Sequence, residues 1–210
     1  MIPALRARFN REWTPARHEA LLARLTARVG GPLGFTVSET PCFFPAALLE
    51  EMAATGATLV SSFLANAAAR AAAEALIPPR YLGPNQEGRP TCVQVDFGMV
   101  READGRITPR LVELQAFPSL YAFQHTLAMT HREVHALPAE CVAPLGGLDD
   151  AAYLALMRDV LVGPHDPADV VLMEITPEQQ KTRPDFVLTE SLWGIATVDP
   201  RDVLVRGRTL

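Results

Sequence analysis

The sequence predicts a mixed α/β (α+β) protein: an antiparallel hairpin set among helices, followed by a small parallel βαβ unit. Three observations carry this expectation. Two strand-like runs, 93–100 and 107–117, flank the turn signal Asp104-Gly105. A helical stretch separates the apolar run "DVVLMEI" (169–175) from "GIATVDP" (194–200), the pattern of two parallel strands joined by a crossover helix. The remaining periodic segments carry helix start and stop residues at their ends.

Composition narrows the classes. The 210 residues are 49% hydrophobic and 20% charged, a globular balance that excludes disorder, collagen and coiled coil. The 24 acids against 19 bases give a net charge of −5, so nucleic-acid binding has no electrostatic footprint. Lys181 is the one lysine. No run of 18 apolar residues predicts a membrane span, and "MIPALRARFNREW" lacks the apolar core of a signal peptide. Cys42, Cys92 and Cys141 are odd in number, widely spaced and without a CxxC. That argues against zinc ribbons and disulfide scaffolds and for a reduced, cytoplasmic setting.

Taken in order, residues 14–29 read as an amphipathic helix with Thr14 as cap, Pro15 at the first position and Gly30-Gly31 as stop. "GFTVSETPCFF" (34–44) is a short strand candidate. Residues 45–65 carry helical periodicity with Gly56 inside, at a cost of about 1 kcal/mol relative to alanine. Asn66 caps a second helix, which Pro78-Pro79 end, and a polar loop runs to Pro90. After the two strands, 119–137 reads as a helix with Ser119 as cap, and 148–163 as a helix closed by Gly163. The βαβ segment follows, and "RDVLVRGRTL" closes the chain as a strand candidate without an evident partner.

A two-residue Asp104-Gly105 turn sets the hairpin register. Val93 then faces Ala116, Val95 faces Leu114 and Phe97 faces Val112 on an apolar side. On the other side Gln94 faces Gln115 and Asp96 faces Glu113. Two carboxylates directly opposed destabilise a sheet. At about 4 Å their repulsion is about 1 kcal/mol in water and about 4 kcal/mol at a protein-like dielectric. Solvent, an arginine, a shared proton or a divalent cation offsets it. Asp96, Glu113 and Gln115 form an oxygen-only donor set, which suits Mg²⁺. The alternative is a solvent-facing hairpin whose acids do nothing.

The stretch "VQVDFGMVREADGRITPRLVELQAFPSL" (93–120) resembles the metal-binding segment of the glutathionylspermidine synthase-like enzymes, a circularly permuted branch of the ATP-grasp ligases. Residues 34–200 are similar more broadly to a bacterial group related to that branch, through "SETPCFFP", "VQVDFG", "VELQAFPSLYAFQ" and "DPRDV". The resemblance implies that Asp96 and Glu113 hold Mg²⁺ bridging the phosphates of ATP, with Gln115 where the family has asparagine. The arginine common two positions before the aspartate, which stabilises transferred phosphate, is Gln94 here, and Pro118-Ser119 would shape the acceptor pocket. The implied chemistry is ATP-dependent amide formation through an acyl phosphate, from small-molecule or peptide carboxylate and amine substrates.

On this reading 1–145 is an ATP-grasp-like core portion and 146–210 an incomplete βαβ segment. No second lobe is legible, so the expectation is the metal-bearing portion of a ligase that needs completion. A different class, a non-catalytic binding or assembly module prone to self-association, stays open.

Other constellations are weaker. His131 and His135 share one helical face in "HREVH", but the glutamate does not follow the first histidine as zincins require, and two surface histidines is the plainer reading. Cys42 lacks a local histidine and reads as a buried thiol, and Glu39 as a loop carboxylate or, alternatively, a pocket acid. Glu174, Gln180 and Lys181 follow a strand end, where open parallel sheets bind ligands, and are candidates for nucleotide contact; a capped surface helix is the alternative.

Overall fold

The computed structural model describes residues 2–83, 90–115 and 119–207. Its helices are α1 (Pro3–Glu12), α2 (Pro15–Arg28), α3 (Ala46–Ala65), α4 (Ala67–Glu74), α5 (Tyr121–His135), α6 (Asp150–Leu161) and α7 (Arg183–Trp193). The strands are β1 (Gln94–Arg101), β2 (Ile107–Gln115), β3 (Val171–Met173) and β4 (Ala196–Val198). The fold is mixed α/β, with β1–β2 antiparallel and β3–β4 parallel. The chain forms two compact units, one of Met1–Phe44 with Ser119–Leu210, the other of Pro45–Pro118. The residue 145/146 boundary falls within the first.

In the first unit the core follows from the apolar stripe of α2. Thr14 Oγ1 accepts from the Arg17 N–H at 3.3 Å, Pro15 opens the helix, and Leu21 and Leu25 are fully buried. They cluster with Val29, with Ala122 and Phe123 of α5, Met157 of α6, and Leu188 and Trp193 of α7. Each of the larger of these side chains contributes about 1.5–3 kcal/mol on leaving water. The Trp193 indole N–H donates to the Leu154 carbonyl at 3.0 Å, which ties α7 to α6. Between β3 and β4 runs α7, closed by Gly194 at φ +75°, so the crossover unit read from the sequence is present.

Three expectations change. Ser119 does not cap α5: the N-cap is Leu120, at φ +62°. The capping acceptor comes instead from α7, where Asp185 accepts from the N–H groups of Leu120 (3.0 Å) and Phe123 (2.8 Å). Residues 34–44 contain no strand, because Val37 and Phe43 are buried singly in the core; Phe43 also accepts a backbone bond from Ile2 at 2.6 Å. That bond fixes the start of α1, a helix for which the sequence offered no reading. After a short 3₁₀ turn at Pro200–Asp202, residues 203–207 form no strand, with Leu204 and Val205 exposed; 208–210 lie outside the described residues.

In the second unit α3 matches its expected span, and Asn66 Oδ1 caps α4 by accepting from the Ala69 N–H at 3.0 Å. Gly56 is buried where α3 meets β1: a Cβ there would lie 2.9 Å from Val95 Cγ2. The glycine costs helix propensity and lets the helix approach the strand closely. Among the described residues no single helix is long and apolar enough to cross a membrane; α3 and α4 meet that requirement only together, and they bend by 79° at Asn66.

Candidate functional site

The hairpin places Asp96 directly opposite Glu113 and Gln94 opposite Gln115, as the polar face requires. It reaches that register by a different route. The Glu102 N–H donates to the Arg106 carbonyl (2.8 Å) and the Gly105 N–H to the Glu102 carbonyl (2.9 Å), so the loop is Ala103-Asp104-Gly105 with Gly105 at φ +85°. This is the three-residue turn with a left-handed glycine, not the two-residue turn. It shifts the pairing by one, so Phe97 faces Leu111 rather than Val112. A bulge at Val112 then restores the register for Glu113.

Apolar patterning explains the bulge. With the simple register, Arg110 would face Met99 on the apolar side and Leu111 would face Gly98 on the polar side. In the bulged hairpin Leu111 joins Phe97, while Arg110 pairs with Gly98 and donates to Glu102 at 2.9 Å. That hydrogen bond holds the Glu102 carboxyl below the usual carboxylate range. The expected Val93–Ala116 pair and Pro118 involve residues outside those described.

The side chain that bridges the opposed acids is an amide rather than an arginine. Gln115 Nε2 donates to Asp96 Oδ2 at 3.1 Å and to Glu113 Oε1 at 2.5 Å. The three side chains chosen from the sequence therefore converge on one face of the hairpin. Among the described residues no group of three His, Cys, Asp or Glu side chains is arranged to hold a metal ion. The donor set here is two carboxylates and an amide, and turning the amide about its last bond makes it all oxygen.

Ser119, Glu174 and Lys181 belong to the first unit. Ser119 is half-buried ahead of α5, Glu174 Oε1 accepts from the neighbouring Ile175 N–H at 2.7 Å, and Lys181 is exposed. Gln180 is half-buried, and its amide donates to the Ile175 carbonyl at 2.7 Å. Just past the carboxyl ends of β3 and β4 lies an open cleft of about 390 Å³, lined by Thr176, Glu178, Thr197, Asp199 and Asp202 among others. Asp199 accepts from the N–H groups of Thr176 (2.9 Å) and Arg201 (3.0 Å), and the Arg201 guanidinium holds its carboxyl well below the usual range. The three acids of this lining oppose phosphate binding there. The sequence signal for the Asp199 knot was the Asp-Pro-Arg run, since aspartate before proline favours a capped turn.

The sequence also missed the histidines. His131 and His135 are buried, not surface groups, at 6% and 3% exposure, because α5 turns that face toward α1 and α2. Cys42 is exposed rather than buried. Comparison with protein-family models, curated proteins and solved structures finds no match for this chain.

Proposed function

We propose that the chain is the metal- and nucleotide-binding portion of an ATP-grasp-like carboxylate–amine ligase, in which Asp96, Glu113 and Gln115 supply the oxygen ligands for Mg²⁺. The observation that carries this reading is the convergence of those three side chains on one hairpin face, two carboxylates opposed and bridged by an amide. Bound Mg²⁺ with ATP neutralises charge on phosphate oxygens. The chain's own part is positional: α3 seats β1 through Gly56, β1 fixes Asp96, and the bulge at Val112 returns Glu113 to face it. Gln94, opposite Gln115, offers an amide where the resembling enzymes place an arginine, so it orients phosphate without neutralising it. Glu174 and Lys181 remain the candidates for nucleotide contact, and Ser119 for the acceptor pocket of a carboxylate–amine reaction in a cytoplasmic setting.

Isothermal titration with MgCl₂ and with Mg²⁺–ATP tests it. The parent chain binds Mg²⁺, and Asp96→Asn weakens binding at least about tenfold, since it removes one of two charged ligands. A parent chain that takes up no Mg²⁺ overturns the reading.

A second reading, a binding or assembly module without catalysis, is favoured by the exposure of Leu111, Val112 and Leu114 at 47%, 66% and 43% along β2. Light scattering separates the two: the module self-associates in a concentration-dependent way that Leu111→Ser with Leu114→Ser abolishes.

A further inference from the structure

Three of the chain's five histidines meet in one layer. The rings of His131 and His135, one turn apart on α5, stack at 5.5 Å, and His18 of α2 lies close enough to act on both electrostatically. His18 Nδ1, His131 Nδ1 and His135 Nε2 are buried ring nitrogens without a hydrogen-bond partner. Phe9 of α1 packs its ring 4.7 Å from His135. Beside it is a cavity of about 10 Å³, roughly one water, lined also by Arg8, Glu12 and Phe43.

The charges facing this layer are mostly of one sign. Arg17 of α2 faces His135. Arg8 lines the cavity, and Glu12, the acid there, is engaged by Arg8 at 3.0 Å. The other acid on this stretch of α5, Glu133, bonds elsewhere: it accepts from Arg24 and Arg28 of α2 at 2.9–3.1 Å. A proton placed on the layer therefore meets arginines and a second imidazole, with no free carboxylate among the described residues lining it.

We propose that the His131–His135 pair, layered against His18, is an acid-operated latch, which holds α1 and α2 against α5 while these two imidazoles are neutral and releases them when they take protons. Burial, then the neighbouring His135 and His18, pushes His131 down to about 4, and burial lowers His135 as well. The open state, with ordinary imidazoles, binds more protons than the closed state. The closed state is therefore fully favoured above the ordinary histidine range and loses ground as pH falls from there toward about 4.

Hydrogen exchange of the full chain, corrected for intrinsic rates and followed from pH 7 to pH 4, tests the latch. Peptides of α1 and α2 lose protection about tenfold or more while the hairpin peptides hold theirs, and opening rises by up to roughly two decades per pH unit where it takes up two protons together, one on each of His131 and His135. The imidazole resonances of unmodified protein, read by NMR, shift over the same interval. In His131→Gln with His135→Gln the opening moves down by at least about half a pH unit. The latch is overturned if the imidazoles take protons while α1 and α2 stay protected, or if the variant opens at the parent's pH. The NMR titration uses the unmodified chain, so the proposal stays decidable where the double variant does not fold.

Discussion

Replacing Gly56 with alanine is expected to destabilise the second unit, against the rule that alanine improves a helix interior. The added Cβ would stand 2.9 Å from Val95 Cγ2 and 3.3 Å from Val95 Cβ, where carbon pairs rest at about 3.5–4.0 Å. Val95 is β-branched and stiff about χ1, so it cannot swing aside cheaply. Either α3 lifts from β1 or the strand shifts. Overpacking of this kind costs about 1–3 kcal/mol. The helix gains about 1 kcal/mol from the better residue. The balance is a loss of about 1 kcal/mol, read as roughly fivefold faster exchange of the α3 and β1 amides that open together. The Val95→Ala background supplies the control. There the obstructing methyls are gone, and Gly56→Ala becomes neutral or stabilising by up to about 1 kcal/mol. A Gly56→Ala that stabilises the parent, or one with the same effect in both backgrounds, refutes the argument that this glycine exists for close approach.

Asp185→Ala removes the acceptor for the first turn of α5 and leaves N–H groups of Leu120 and Phe123 unpaired, costing about 2–4 kcal/mol in denaturant unfolding; Asp185→Asn keeps one acceptor oxygen but turns an NH₂ toward the other N–H, so it recovers only part of that loss. Glu133 is held below the ordinary glutamate range by Arg28 first, so its stabilisation is present above that range and is lost as pH falls through its lowered value. Glu133→Gln therefore lowers stability at pH 7 by about 0.5–1 kcal/mol, the pair being partly solvent-screened, and the difference from the parent vanishes in acid. Maleimide labelling followed by peptide mapping finds Cys42 modified first, because it is exposed, and Cys141 late, because burial pushes its thiol up.

Much of the local structure was legible because its signals are local. Thr14-Pro15, Asn66 and the span of α3 needed only capping chemistry and periodicity. The pairing of Asp96 with Glu113 was legible from alternation, though two one-residue errors cancelled to give it: the turn holds one residue more than Asp104-Gly105 implies, and Val112 is extruded. Alternation reports which face a residue takes, and it does not report where an extra residue hides. The misses share a different cause. The cap of α5 comes from Asp185, 65 positions away from Leu120, and the burial of His131 and His135 depends on α1, whose own start is fixed by Phe43. No window of neighbouring residues contains those partners.

The same distinction bears on the candidate site. Its chemistry sits on Asp96, Glu113 and Gln115, which a reader of the sequence can select. Its geometry rests on residues that carry no chemistry. A two-stranded hairpin is marginal by itself in water and needs a packed face. Here α3 supplies that face, and it reaches β1 because Gly56 has no side chain to hold it off Val95, the residue adjoining Asp96. Gln115 then bridges the opposed acids with two hydrogen bonds. The amide that holds the carboxylates together is also the group that would have to turn for the proposed Mg²⁺ to bind there. A cation entering this hairpin would compete with two hydrogen bonds to carboxylates, each contributing about 1.5–3 kcal/mol where water is excluded and less on this partly exposed face.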